Sequence, residues 1–182
     1  MANKYLYDGY GARLADTAKR ICEMKAALSG NGFSLVGDEE LKVCIEAKKY
    51  GYFGYEIAEY LKEKNIVCEF YDRDYVVMMF TPEITGENMD FIESVLLSLP
   101  AKDVISESAP NVGSPDRAMS VRAAIMSCSE EVNVKEACGR VLAATSVSCP
   151  PAIPIVICGE MIDENTIKLF EYYGIKKCRV VK

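Results

Sequence analysis

The chain has no histidine. That absence removes Ser-His and Cys-His nucleophile pairs and every His-ligated metal centre from within it. Acid–base work would have to fall to carboxylates, Lys, Tyr or Cys. A basic excess is missing too: the net charge is −6, so nucleic acid and anionic membrane are not expected as partners. No run of residues approaches a membrane span, and the opening stretch MANKYLYDGYGARLADTAKR has no apolar signal-peptide region, so a cytoplasmic location is expected. There is no G-x-G-x-x-G and no G-K-[ST], which leaves GYFGY at 51–55 reading as a β-to-α turn rather than a phosphate cradle.

Eight cysteines are present (Cys22, Cys44, Cys68, Cys128, Cys138, Cys149, Cys158, Cys178), yet none forms a C-x-x-C pair. Zinc sites use closely spaced ligand pairs, so no metal site is expected and the cysteines read as buried free thiols. Half of the residues are hydrophobic and 26% are charged, an ordinary globular balance. At 182 residues there is material for one substantial core or two small ones.

Leu14, Ala18, Ile21, Met24 and Leu28 recur at helical spacing and predict a helix over 10–29, ended by Gly30-Asn31-Gly32. Leu41, Val43, Ile45 and Ala47 alternate, predicting a strand over 40–47. A helix follows to Lys64 with Asn65 at its end. Next come two strands, 66–71 and 75–81, joined at Asp72-Arg73-Asp74 as a hairpin. A helix over 87–99 carries Phe91, Ile92, Val95, Leu96 and Leu99 on its apolar side, and Pro100 stops it. The expected layer is α+β, with helices on one face of a small mixed sheet.

Residues 101–118 are polar, with two prolines and a glycine, and read as a linker. Beyond it, Ser120 caps a short helix over 121–127, Ser129-Glu130-Glu131 precede a strand or turn, and 134–138 form a helical turn. Asp163 is placed as N-cap of a helix over 164–173, with Gly174 at its C′ position and a last strand at 178–181. Within the stretch GRVLAATSVSCPPAIPIVICGE at 139–160, the prolines impose extended backbone and Ile155-Val156-Ile157 read as a strand buried on both faces. Glu160 then falls just past that strand, where open α/β sheets present functional groups.

The pattern GR-x(9)-PP-x-IP-x(4)-GE resembles the signature of the C-terminal domain of the Orn/Lys/Arg decarboxylases, PLP-dependent enzymes of fold type I. Gly139, Arg140, Pro150, Pro151, Ile153, Pro154, Gly159 and Glu160 match it, while Cys149, Ala152 and Cys158 replace the family's Tyr, Gly and Pro. The stretch from GYFGYEIAEYLKEKN onward is similar to the family's small domain, with Gly54, Ile66, Glu69 and Thr81 in place. The resemblance implies an organisation of connecting helix (1–30), β-α-β-β-α small domain (31–100), linker (101–118) and C-terminal α/β domain (119–182).

The resemblance also implies that Glu160, Pro150, Pro151, Ile153 and Pro154 border the active-site entrance, where an acidic group suits a cationic substrate head. The plainer reading of Glu160 is a solvated carboxylate near the following helix N-terminus. Gly139, Arg140 and Gly159 are expected to be structural, Arg140 by bonding carbonyls or pairing a carboxylate. In that family the Schiff-base lysine sits in Ser-x-His-Lys within a large domain, a motif this chain does not contain. Lys48-Lys49 and Lys176-Lys177 are expected at the surface. No catalytic, cofactor-binding or metal residue is therefore assigned.

The resulting expectation is the C-terminal portion of a decarboxylase acting on ornithine, lysine or arginine to give a polyamine-type product. It would shape the entrance and oligomer contacts beside a PLP-binding large domain, without catalysing alone. The alternative is a free-standing module that binds an amine or a partner.

Overall fold

A computed structural model of the chain describes residues 2–145 and 154–182. It divides into two compact units, 1–106 and 107–182.

The first unit opens with helices α1 (Ala2–Tyr7) and α2 (Tyr10–Gly30). Of the five apolar positions expected on α2, Ile21, Met24 and Leu28 are fully buried, and Thr17 joins them one turn earlier. The helix ends where Gly32 takes a left-handed φ of 94°, accessible to glycine without a Cβ clash. Strands β1 (Leu35–Val36), β2 (Lys42–Glu46), β3 (Phe70–Tyr71) and β4 (Tyr75–Met79) form a sheet in the order β1-β2-β4-β3. Helix α3 (Gly54–Glu63) connects β2 to β3, and α4 (Gly86–Leu97) follows β4.

The sheet is antiparallel throughout rather than mixed. β4 inserts between β2 and β3, so no two strands of like direction are neighbours. The first hairpin strand is also shorter than expected, covering only Phe70–Tyr71. The alternation on β2 holds: Val43 and Ile45 are buried beside Met78 and Val76 of β4. Against this face pack Ile21, Met24 and Leu28 of α2, Ile57 and Leu61 of α3, and Met89, Val95 and Leu96 of α4. Phe91, placed by periodicity on the apolar side of α4, is 48% exposed, and Met89 takes the inward position. Thr85 starts α4 by accepting a hydrogen bond from the Asn88 amide at 3.2 Å.

The GYFGY loop is a close-packed turn. A Cβ on Gly54 would sit 2.3 Å from the Tyr75 carbonyl oxygen, so only glycine lets helix and hairpin approach this closely. Tyr50 and Tyr52 are buried, stack on Phe33 and on each other, and donate to the carbonyls of Leu99 and Pro100.

The second unit holds α5 (Val121–Met126), β5 (Ser129–Asn133), β6 (Leu142–Ala144), α6 (Glu164–Tyr172) and β7 (Lys177–Val181). Its strands order as β5-β7-β6, again antiparallel. The core gathers Val134, Ala137, Leu142, Val156, Ile162, Phe170, Cys178 and Val180. Ser120 and Asp163 cap α5 and α6 as their sequence positions imply, and Gly174 ends α6 with φ 72°.

The expected strand at Ile155-Val156-Ile157 does not form. These residues bend, only Val156 is buried, and Ile157 is 39% exposed. The cysteines are free at all seven described positions, but only Cys158 and Cys178 are buried, while Cys22, Cys128 and Cys138 are exposed. A small thiol tolerates solvent, so apolar spacing overstates its burial. No described helix is long and apolar enough to cross a membrane.

Candidate functional site

The signature stretch becomes a shape made by backbone pairing. Gly139 adopts φ 76°, turning the chain so that residues 139–142 run antiparallel to 159–162. The Gly139 amide donates to the Ile162 carbonyl and the Ile162 amide to the Arg140 carbonyl, each at 2.8 Å. One step along, the Leu142 amide donates to the Glu160 carbonyl and the Gly159 amide to the Leu142 carbonyl, each at 2.9 Å. On the far side of 159–162, the Met161 amide reaches the Asp116 carbonyl and the Ala118 amide reaches the Gly159 carbonyl. The end of the stretch expected to be a linker is thus tied into the sheet.

Glu160 closes a local turn. Its carboxylate accepts from the Ile157 amide at 2.8 Å, while its own amide donates to the Ile157 carbonyl at 3.2 Å. This is the physical reason that no strand forms at 155–157: the carboxylate takes the amide a ladder would need, and the chain reverses there. Gly159 makes the reversal possible, with φ 89° and a position where a Cβ would stand 2.4 Å from the Met119 carbonyl oxygen. The helix N-terminus that could have attracted Glu160 is served by Asp163 instead, which accepts from the Thr166 amide at 2.6 Å. Bonds from Thr166, first through its hydroxyl, hold the Asp163 carboxyl below its ordinary range.

Arg140 leaves this ladder on the other side. Its guanidinium donates to the Glu130 carboxylate at 2.7 Å and to the Val181 carbonyl at 2.8 Å, joining the signature to both β5 and β7. That bond to Arg140 lowers the Glu130 carboxyl. Glu130 and Glu131 are neighbours on a strand and therefore point to opposite faces, with Glu131 bonded to Lys177. Pro154 is half-buried. Pro150, Pro151 and Ile153 lie outside the described residues. The structure thus brings Gly139, Arg140, Gly159 and Glu160 together around one ladder.

Sequence reasoning placed Lys48 at the surface, and it is buried. Its ammonium lies 2.7 Å from the Asp74 carboxylate and 5.8 Å from the centre of the Phe53 ring. The signal was present in the alternation 41-43-45-47, which carries the chain inward just before Lys48, and in the acids of the following hairpin turn. Among the described residues Lys48 is the buried lysine, and a Schiff-base lysine needs a neutral amine beside a phosphate cradle. An ammonium held by a carboxylate does not fit that role, so this buried lysine does not make a PLP site. Among the described residues there is also no cluster of three or more metal-ligating side chains.

Comparison with known proteins agrees with the signature. The profile of "Orn/Lys/Arg decarboxylase, C-terminal domain" matches residues 102–177. An arginine decarboxylase of Bacillus subtilis (strain 168) is 31% identical over 135 residues, which cover 69% of this chain and 27% of the relative. An arginine decarboxylase of Halalkalibacterium halodurans is 28% identical over 174 residues, covering 87% of this chain and 35% of the relative. Among solved structures, the lysine decarboxylase LdcF of Francisella novicida aligns over 82% of this chain and 32% of its own, with TM-score 0.57 and 15% identity. The constitutive lysine decarboxylase of E. coli aligns over 79% and 32%, with TM-score 0.52 and 14% identity. These two structures share the fold. The chain spans about a third of the length of these relatives.

Proposed function

The chain belongs to the Orn/Lys/Arg decarboxylase family, and from that premise we propose that it supplies the small and C-terminal domains of a PLP-dependent basic amino acid decarboxylase. On this reading the cofactor and its lysine reside in a large domain, and the present residues act by shape. The observation that carries the proposal is the signature ladder: the family's spaced glycines and glutamate fold here into one fixed turn, 139–142 against 159–162.

PLP in the large domain supplies the electron sink for loss of the α-carboxylate. The contribution of this chain is positional. Gly159 and the Glu160 carboxylate set the turn, Arg140 anchors it to β5 and β7, and the entrance role of Pro150, Pro151, Ile153 and Pro154 rests on the family resemblance. Glu160 remains an acid at the rim, suited to orient the cationic head of ornithine, lysine or arginine. The protein is proposed to work in the cytoplasm, in an oligomer, within the route to polyamines.

The test is a chimera in which this chain replaces the stretch it matches in the Bacillus subtilis arginine decarboxylase. Retained carbon dioxide release supports the proposal, and a folded but inactive chimera with bound PLP overturns it. In the active chimera, Glu160→Gln is expected to raise KM for the basic amino acid more than it lowers kcat. An unchanged KM would remove Glu160 from the substrate entrance. The isolated chain, mixed with PLP and each amino acid, is expected to release no carbon dioxide, and turnover by it alone would overturn the division of labour.

A further inference from the structure

Residues 101–118 have the composition of a linker, and a flexible linker leaves its backbone groups to water. Here the backbone is bonded toward both ends.

The first end lies on the aromatic turn that follows β2, a 3-10 turn over Ala47–Tyr50 continued by Gly51 and Tyr52. The Tyr50 hydroxyl donates to the Leu99 carbonyl at 3.1 Å, and the Tyr52 hydroxyl to the Pro100 carbonyl at 2.7 Å. In the opposite direction, the Lys102 amide donates to the Tyr50 carbonyl at 3.2 Å and the Ile105 amide to the Lys48 carbonyl at 3.0 Å. The Lys102 ammonium stands 3.8 Å from the centre of the Tyr52 ring. Gly51 makes room for this approach. Its φ is 88°, and a Cβ there would lie 2.5 Å from the Lys102 Cβ and 2.7 Å from its carbonyl oxygen.

The second end belongs to the signature ladder. The Asn165 side chain, in the first turn of α6, donates to the Asn111 carbonyl at 2.6 Å. The Asp116 carbonyl then accepts from the Met161 amide at 2.9 Å, and the Ala118 and Met119 amides donate to the Gly159 carbonyl at 2.9 and 3.1 Å. Residues 116–119 thus hold the turn of Glu160 from the side opposite 139–142. Asn111 follows Ile105 by six residues, a stretch that reaches about 20 Å at full extension. Pro110 biases Ala109 toward extended backbone, which keeps that stretch from coiling into a helical turn.

We propose that residues 99–119 are a strap of fixed reach that positions the Glu160 turn, rather than a tether that lets it swing. A charged group at a substrate entrance acts only within a narrow range of positions, and a displacement of about 1 Å can cost about a hundredfold in rate. A strap bonded into the ladder passes its own restraint to the carboxylate. The positioning role rests on the decarboxylase reading, whereas the two attachments do not.

The attachments are tested on the full chain by hydrogen exchange resolved to single amides. The amides of Lys102, Ile105, Ala118 and Met119 should exchange about tenfold or more slowly than unstructured chain. Gly51→Ala should release Lys102 and Ile105 while β2 stays protected. If that variant unfolds, Tyr52→Phe, which removes only the hydroxyl on Pro100, should still speed exchange at Lys102 several-fold. Exchange at the unstructured rate through 101–118 overturns the proposal, as does a folded variant that leaves Lys102 unchanged.

The positioning is tested in the arginine decarboxylase chimera, with a Gly-Ser-Gly-Ser-Gly-Ser insert after Ser108 that lengthens the strap by about 20 Å. KM for the basic amino acid should rise about tenfold, with exchange protection in both units kept. The same insert after Asp38, in the exposed loop between β1 and β2, should leave KM unchanged. Combining the strap insert with Glu160→Gln should add little, because both act through one carboxylate. An unchanged KM, or effects that add in full, overturns the positioning. An inactive chimera without any insert removes the decarboxylase reading and the positioning with it, whereas unprotected amides at 102, 105, 118 and 119 remove the strap alone.

Discussion

The two units reach stability by different routes. Among the described residues, the first unit gathers nineteen buried side chains into one cluster, drawn from three helices, the inner face of the sheet and the segments that join them. The second gathers eight, and what surrounds them is backbone pairing, two capped helices and one arginine. The larger cluster tolerates exchange of one apolar residue for another, because burial is non-directional. The smaller one depends on particular backbone angles and donors. A signature of glycines, prolines, an arginine and a glutamate, with few large apolar side chains, suits the second kind of stability. This explains why the family resemblance is most specific there.

Each unit should therefore fail under a different kind of damage. Leu61→Ala removes a fully buried side chain between α3 and the sheet and should cost the first unit about 3 kcal/mol. Measured by hydrogen exchange with peptide-level mass spectrometry, protection should fall over residues 20–100 and persist over 128–181. Equal loss in both halves would show that the units do not unfold separately.

Gly159→Ala is the matching insult to the second unit, expected to cost about 2 kcal/mol through its positive φ and the contact with the Met119 carbonyl. Its protection pattern should be the mirror image, with 128–181 weakened and the first unit unchanged. A silent Gly159→Ala would mean that the 159–162 segment is free to move away from residues 116–119.

These residues also show what was legible in the sequence. Periodicity found α2 and α4 and the alternation of β2, because a single apolar face repeats at a fixed interval. Side-chain chemistry found the caps Ser120 and Asp163, since each acts on an amide three residues away. Periodicity failed where a single contact outweighed it. The apolar run 155–157 resembles a strand, but Glu160 captures the Ile157 amide and turns the chain. Phe91 fits the helical stripe of α4, yet the inward position goes to Met89. Lys48 resembles a surface lysine until the hairpin brings Asp74 to it, a contact twenty-six residues away that no local pattern encodes. The signature was recognisable as text, whereas its geometry, the ladder of 139–142 on 159–162, followed only from the fold.

A smaller effect is expected from Arg140→Met, which keeps the length of the side chain and removes its donors. The partly exposed pair with Glu130 contributes little, because solvent screens it. The loss should come mainly from the Val181 carbonyl, left without this donor. Urea unfolding followed by exchange should place Arg140→Met between wild type and Gly159→Ala. A variant as damaged as Gly159→Ala would make Arg140, rather than the glycine turn, the main anchor of the signature.

The smallest and most specific effect concerns pH at the start of α6. The Asp163 carboxyl is held below its ordinary range when folded, so its cap contributes fully above the unfolded value of about 3.9. The contribution fades as pH falls through the lower folded value, because protonation then removes the charged acceptor. Asparagine caps nearly as well as aspartate but does not titrate. Asp163→Asn should therefore match wild type within a few tenths of a kcal/mol at pH 7, while Asp163→Ala should lose about 1 kcal/mol. Below pH 4 the wild type should lose stability in the second unit more steeply than Asp163→Asn, with the first unit equal in both. If the two proteins stay parallel down to pH 3, the cap does not depend on charge. The second unit would then rest on backbone geometry even where a carboxylate is present, and its contrast with the first unit would be wider than the capped helices suggest.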